Sequence, residues 1–179
     1  KSSASDTIIR SDFNPVAYFN PSVITDSSGN VTIEYELPDS ITSYRVYIVA
    51  CDKGNGFGNA ELPLFAAKDF YIEPGLPRFF SRGDRFDFLV KAINNSEAGS
   101  SLEFMSDATD NLRISQQGED YYLDAKDSIQ IRINGEALST GVATVHLSGT
   151  LEGKTDAVQL EVPVHSGHTI GTDGLIGSF

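Results

Sequence analysis

Cysteine is almost absent from this sequence, with one among 179 residues. Cys51 cannot form a disulfide within the chain, which excludes the small secreted domains that depend on cystine for stability. Because Cys51 ends the apolar run YRVYIVAC, we expect it to be a small buried hydrophobic side chain rather than a reactive thiol.

Basic residues and long apolar runs are also scarce. The 13 Lys and Arg residues against 25 Asp and Glu residues give a formal charge of −12, so nucleic acid and anionic lipid would be repelled. No apolar run reaches the roughly 18 to 20 residues of a spanning helix, and the first residues, KSSASDTIIRSDF, lack the apolar core of a signal peptide. We therefore expect no nucleic-acid partner and no direct membrane insertion.

Motifs for catalysis and for cofactor binding are missing as well. The glycine-rich residues 54–59, GNGFGN, precede a strand-like run with a proline, whereas a phosphate-binding loop opens a helix. His146, His165 and His168 have no Cys, Asp or Glu partner at a recognised ligand spacing, and His146 is expected on the polar face of a strand. The sequence predicts no catalytic residue, no metal and no cofactor.

Apolar residues recur at every second position and almost never at helical spacing, which indicates an all-β chain of short antiparallel strands. Glycine, asparagine and aspartate occupy the turns between the runs, for example in residues 26–30, 81–84, 134–136 and 151–156. The strand-like runs are residues 31–37 (VTIEYEL), 44–50 (YRVYIVA), 86–93 (FDFLVKAI), 101–107 (SLEFMSD), 128–134 (SIQIRIN), 141–149 (GVATVHLSG) and 157–164 (AVQLEVPV).

The chain divides into two parts near residues 66–70, just before the stiff joint formed by Pro74, Gly75 and Pro77. Residues 69–165 have room for a complete β-sandwich, which takes on the order of 100 residues. Residues 1–68 are fewer, which favours an incomplete sandwich. The Gly-, Ser- and Thr-rich residues 166–179 are typical of a linker or tail.

The break LPDSITSYR, residues 37–45, has a local explanation. Pro38 cannot donate a ladder hydrogen bond, so the strand of residues 31–37 is predicted to end there, and Asp39 can accept hydrogen bonds from nearby amides in a turn. The next strand is expected to bring Tyr44 into the core while Arg45 projects towards a neighbouring element.

Several separated elements between Ile8 and Asn95 occur together in the order typical of one family. The first portion, residues 8–58, contains an aromatic pair before Asn-Pro, and the second, GLPRFFSRGDRFDFLVKAINN, contains Leu-Pro-Arg-Phe and Gly-Asp before a strand. The matching residues are Arg10, Phe13, Phe19, Pro21, Gly29, Leu37, Pro38, Asp39, Thr42, Tyr44, Arg45, Phe57, Gly58, Pro77, Gly83 and Asp84. In this combination the chain resembles the α2-macroglobulin family, although Phe19 and Tyr44 stand where the family most often has tryptophan.

The resemblance implies two consecutive immunoglobulin-like macroglobulin β-sandwiches, a structural fragment of a bacterial endopeptidase inhibitor of the periplasm or the cell surface. It also implies a parent protein that is anchored by lipid. Such inhibitors trap a protease after cleavage of a bait segment, and some capture it through a thioester between Cys and Gln. Asp52, Lys53 and Gly54 follow Cys51 where that chemistry requires Glu-Gln, so Cys51 is not a thioester cysteine. The expected partners are other macroglobulin and thioester domains of the parent chain, and proteases as its targets.

Two further possibilities follow from the residues. A stand-alone adhesive or carbohydrate-binding sandwich is the alternative function, and an exposed aromatic row formed by Phe79, Phe80, Tyr121 and Tyr122 would support it. An incomplete first sandwich would also leave an unpaired sheet edge, which invites self-association.

Overall fold

The computed structural model of the protein describes residues 9–115 and 119–167, so His168 and most of the predicted tail lie outside the described residues. Within these ranges the chain forms strands and no helix. The strands are β1 (Ile9–Arg10), β2 (Ser43–Cys51), β3 (Phe57–Phe65), β4 (Phe70–Pro74), β5 (Phe80–Ser81), β6 (Arg85–Asn94), β7 (Ser100–Ala108), β8 (Leu112–Ile114), β9 (Glu119–Leu123), β10 (Ser128–Ala137), β11 (Gly141–Leu151) and β12 (Lys154–His165).

Two sheets pack face to face over the second part of the chain. Sheet 1 has the order β1-β12-β11-β7-β9, with β5 also paired to β12, and sheet 2 has the order β4-β6-β10-β8. Neighbouring strands are antiparallel, except that β1 and β5 run parallel to β12. This arrangement confirms the predicted all-β class.

The core lies between these two sheets. Alternating residues of each strand point inward, as in β7, where Leu102 and Phe104 are buried while Glu103 and Met105 are exposed. Every buried residue of the hydrophobic core falls between Phe70 and Val164. The period-2 pattern of the five long runs after residue 85 therefore predicted both the strands and their inward faces.

Turn residues connect these strands where the sequence indicates. Glu152 and Gly153 both adopt positive φ, 50° and 75°, in the two-residue turn between β11 and β12, where Gly153 meets the requirement for the left-handed region without strain. Gly83, with φ of 94°, donates its N–H to the carbonyl of Ala137, and Asp84 accepts the Ser81 N–H through its carboxylate. By contrast, the predicted turn at residues 134–136 is wrong, because these residues continue β10 opposite β6.

The first part of the chain differs from the prediction for residues 31–37. These residues form no strand, and Val31, Ile33 and Tyr35 are 49%, 42% and 39% exposed. Alternation alone does not make a strand, because a strand needs a partner to pair with its backbone groups, and none of the described residues supplies one. Residues 11–42 instead follow an irregular, largely exposed path.

Among the described strands, β2 and β3 pair with each other and with no third strand, as an antiparallel hairpin. Tyr44 is half-buried rather than in the core, and Cys51 is exposed, which makes the prediction of a buried cysteine wrong. Both errors have one cause: no second sheet covers the hairpin within the described part of the chain, so its apolar runs have no core to enter.

Candidate functional site

The most elaborate polar cluster of the chain is built around Arg10 at the edge of sheet 1. Pairing of β1 with β12 sets Arg10 beside Val158 and close to Asp156. The guanidinium donates from Nε to Asp156 Oδ1 over 2.9 Å and from Nη2 to Asp156 Oδ2 over 2.6 Å. Arg10 is 6% exposed and Asp156 is fully buried, so this is a buried, bidentate ion pair.

The pair also joins the two sheets. Ile72 lies on β4, the edge strand of sheet 2, and its N–H donates to Asp156 Oδ2 over 3.0 Å. The carbonyl of Ile72 accepts a hydrogen bond from Arg10 Nη2 over 2.8 Å. The two charged side chains therefore satisfy backbone groups that an edge strand would otherwise present without a partner.

Asp156 has a second cationic partner, because Lys68 Nζ lies 2.8 Å from Oδ1. Burial of Asp156 raises the pKa of its carboxyl, but hydrogen bonds from Arg10, Lys68 and the Ile72 N–H, with the charge of Arg10, outweigh burial and leave the pKa below its ordinary value. Asp156 is thus an ionised carboxylate with donors on both oxygens.

Asp39 fixes the chain just beyond Arg10. Its carboxylate accepts the N–H groups of Ser11 and Asp12 over 2.8 and 2.9 Å, and these backbone hydrogen bonds lower its pKa. Its carbonyl lies 3.4 Å from Arg10 Nη1, and the Phe13 ring centroid lies 5.8 Å from the guanidinium carbon of Arg10. Asp39 therefore binds amides that are 27 and 28 residues distant, in addition to marking a local turn.

The linker between the hairpin and the sandwich is held beside the same cluster. Asn95 donates from its side chain to the Lys68 carbonyl over 3.1 Å and from its backbone to the Asp69 carbonyl over 2.6 Å. The Asp69 carboxylate pairs with Lys154 at 2.8 Å, and this hydrogen bond lowers the pKa of Asp69 and raises that of Lys154. These contacts direct the chain from the hairpin into β4.

A cleft of about 380 Å³ opens next to the cluster. Arg10, Phe13 and Ile41 form one side, and β4 with Pro77 and Glu161 forms the other. Because Arg10 is already paired with Asp156, the cleft contains no unpaired cation to attract an anion. The charged groups of this arrangement hold separate elements of the chain in place.

The structure brings together some of the predicted residues and separates the others. Arg10, Phe13, Asp39 and Pro77 surround the cluster and its cleft. Thr42 closes the base of the hairpin by accepting the Ala66 N–H, and Arg45 pairs with Glu61 across it. Leu37 and Pro38 are half-buried and directly precede Asp39. The remaining predicted residues are turn, hairpin or exposed positions: Phe19, Pro21, Gly29, Tyr44, Phe57, Gly58, Gly83 and Asp84.

Sequence reasoning missed Asp156, Lys68 and Ile72. The available signal was Asp156 itself, an acidic residue directly before the apolar run AVQLEVPV at a position whose alternation points inward. A buried carboxylate requires a cationic partner, but the sequence does not say which of the distant basic residues provides it.

The described residues contain neither a metal-binding cluster nor a membrane-spanning helix. Among them no group of three or more His, Cys, Asp or Glu side chains could hold a metal ion. No helix in the described ranges is long and apolar enough to cross a membrane.

The predicted aromatic row is divided. Phe80 is buried and Tyr121 is half-buried, which leaves Phe79 and Tyr122 exposed. Phe79 lies beside His165 at one end of sheet 1, whereas Tyr122 lies on β9 opposite Ser101, near the other end of the sheet. The four rings therefore do not form one sugar-stacking platform.

Comparison with known proteins identifies relatives of this chain. A profile of the α2-macroglobulin family matches residues 16–104. An α2-macroglobulin homolog of Nostoc sp. is 32% identical over 165 residues, which cover 90% of this chain and 9% of that protein. Circularly permutated Ras protein 2 of Dictyostelium discoideum is 29% identical over 178 residues, which cover 96% of this chain and 4% of that protein.

Solved structures share the fold. Trypsin-activated α2-macroglobulin from Escherichia coli superposes with a TM-score of 0.71 at 19% identity, over 88% of this chain and 12% of that chain. The present chain thus spans less than a tenth of the length of the two relatives above. Family profile, sequence relatives and fold agree, and the chain belongs to the α2-macroglobulin family.

Proposed function

We propose that this chain is passive framework in a bacterial α2-macroglobulin-like endopeptidase inhibitor, which traps a protease after cleavage of a bait segment. In this role residues 69–165 are a complete macroglobulin sandwich and residues 1–68 are the later part of the preceding one. The chain carries no reactive centre of its own and works with other macroglobulin and thioester domains of its parent. The parent would act in the periplasm or at the cell surface.

The observation that supports this proposal best is the use of the buried charges. Arg10 and Asp156 are buried, and their hydrogen bonds join the entry segment, sheet 1 and sheet 2. A catalytic site would leave at least one such group free to meet a substrate, whereas here each is directed at another part of the same chain. Asn94, also buried, is bound in the same way to the carbonyls of Ala98 and Asp124.

The hairpin and the irregular segment before it also favour framework within a longer protein. Phe19, Phe57 and Phe65 are 80%, 86% and 72% exposed, and the outer edges of β2 and β3 have no partner among the described residues. Apolar side chains and open edges of this kind are normally covered by another element. Other domains of the parent would supply that cover, and self-association is the predicted result when they are missing.

A trapping assay on the full-length parent tests the proposal. The parent is incubated with trypsin or chymotrypsin, and protease activity is then measured on a protein substrate and on a small chromogenic peptide. A trapped protease should lose activity on the protein substrate, which cannot reach it, and keep activity on the peptide. Equal activity on both substrates at a molar excess of the parent would contradict protease trapping.

The framework role is tested separately with the same parent. Asp107→Asn, which makes the same carboxylate-to-amide change at an exposed position of β7, serves as the matched control and should trap as the natural protein does. Asp156→Asn should reduce trapping without changing the rate at which the bait is cut. Catalytic turnover of any protein or peptide substrate by the present chain alone would overturn the passive role.

A further inference from the structure

One carboxylate holds both ends of the first part of the chain. Residues 11–67, which we call the excursion, leave the sandwich after Arg10 and return to it at Lys68. Arg10 binds both oxygens of Asp156 at 2.9 and 2.6 Å, and Lys68 binds Oδ1 at 2.8 Å. The two ends of the excursion therefore meet at a single buried side chain of β12.

The excursion has few other polar attachments to the sandwich. Within the described ranges, the hydrogen bonds and ion pairs of residues 42–66 stay inside the excursion, for example Arg45 with Glu61, and the Ala66 N–H with the Thr42 carbonyl. The Asp39 carboxylate likewise binds Ser11 and Asp12, which belong to the excursion itself, and the Asp39 carbonyl accepts a hydrogen bond from Arg10, so this contact leads back to the Asp156 cluster. Phe13 adds apolar packing against the core of the sandwich. The polar contacts between the excursion and the sandwich are thus concentrated at its two ends.

The contacts that flank these ends are more exposed than the central pair. Lys154 and Asp69 form an ion pair whose side chains are 47% and 66% exposed, and solvent screens such a pair. Asn95 holds the linker through hydrogen bonds to the carbonyls of Lys68 and Asp69, without a charged partner. Asp156, in contrast, is fully buried and attracts two cations at once.

We propose that Asp156 is a pin that couples both ends of the excursion to the sandwich, so that residues 11–67 dock or detach as one unit. The reason is electrostatic. With Asp156 ionised, Arg10 and Lys68 share one negative charge; without it, two positive charges face each other at the edge of the sandwich and Arg10 is buried without a counter-ion. Loss of one carboxylate therefore loosens both ends together, which independent anchors would not do.

Distance measurement between the hairpin and the sandwich tests this proposal. Cys51, the single native cysteine, is exposed on β2, and Met105 on β7 is 64% exposed. Spin labels at Cys51 and at Met105→Cys in the full chain report how firmly the hairpin is held. We expect a narrow distance distribution in the labelled chain that keeps Asp156 and a clearly broader one in the labelled chain with Asp156→Asn.

Lys68→Gln provides the decisive comparison, because Lys68 is partly exposed and its loss leaves Arg10 paired, so the sandwich remains folded. Lys68→Gln alone should broaden the distribution less than Asp156→Asn does. Added to Asp156→Asn, it should cause no further broadening, since its partner is already gone. Further broadening of similar size in both backgrounds would show that the two ends are held independently, and would overturn the proposal.

A label pair within the sandwich is the control for folding. Met105→Cys with Tyr122→Cys, in a Cys51→Ser background, places both labels on adjacent strands of sheet 1. This pair should keep a narrow distribution in every variant. The distance between the labels at Cys51 and at Met105→Cys would also contradict the pin if its distribution were as broad with Asp156 present as with Asp156→Asn. Neither result depends on protease trapping, so failure here is distinguishable from failure of the proposed function.

Discussion

Replacing Asp156 with asparagine is the sharpest test of the Arg10–Asp156 pair, because it changes charge with little change of shape. Each carboxylate oxygen of Asp156 accepts two hydrogen bonds. Oδ1 accepts from Arg10 and Lys68, and Oδ2 accepts from Arg10 and from the Ile72 N–H. Whichever oxygen becomes the amide nitrogen, an NH₂ group then faces two donors. The variant also leaves Arg10, 6% exposed, without a counter-ion.

Breaking a buried ion pair from one side costs about 3–5 kcal/mol. The Lys68 contact adds little to this loss, because pairs with an exposed partner contribute roughly 0–1 kcal/mol. At about 2–4 °C per kcal/mol for a chain of this size, the midpoint of thermal unfolding should fall by about 6–20 °C. Urea denaturation followed by circular dichroism measures the free energy of unfolding, and thermal scans measure the midpoint.

A double variant separates the attraction of the pair from its burial. Arg10→Met with Asp156→Leu removes both charges, so it should be less destabilising than the sum of the two single replacements. A loss below about 1 kcal/mol for Asp156→Asn would refute the buried-pair argument, since such a value is typical of a solvated pair.

Three further outcomes are expected. Gly149→Ala should cost about 1–3 kcal/mol in urea denaturation, because the new methyl group would lie 2.8 Å from the Phe70 ring, whereas Gly58→Ala should leave stability unchanged. Asn94→Ala should cost about 1–3 kcal/mol by the same assay, because the carbonyls that its buried amide satisfies lose their donor. The folded-state pKa of Asp156 is below its ordinary value of 3.8, so the stability that its ionised carboxylate contributes is complete above pH 3.8 and is lost as the pH falls below 3.8. Acid titration should therefore show that the free energy of unfolding falls less steeply below pH 3.8 in Asp156→Asn than in the unsubstituted chain.

The sandwich could be predicted from the sequence because its long strands carry a complete local signal. In β6, β10 and β11, inward and outward residues alternate, although Asn134 and Gly135, which predicted a turn, lie inside β10. The two-residue strands β1 and β5 were missed, since two residues are too few to show a period. Residues 31–37 show the opposite error: they alternate perfectly but have no partner strand among the residues that the structure describes.

The polar cluster around Arg10 could be predicted only in part. Arg10 and Asp39 stand in the motif that resembles the family, and Pro38-Asp39 signals a turn. Their actual partners lie far along the chain, because Asp156 is 146 residues from Arg10 and 88 from Lys68. Which cation meets which carboxylate depends on the pairing of β1 with β12, and the two residues of β1 do not encode that register in any local pattern.

Amide exchange at Ile72 tests most directly whether the buried pair joins the two sheets. Ile72 lies on an edge strand, where an amide would ordinarily exchange with water, but its N–H donates to Asp156. The account predicts that this amide is as strongly protected as that of core residue Val90, and that Asp156→Asn speeds its exchange by roughly 100-fold. If the Ile72 amide of the unsubstituted chain exchanged as fast as the amide of exposed Glu36, the claim that the buried pair joins the two sheets would be contradicted.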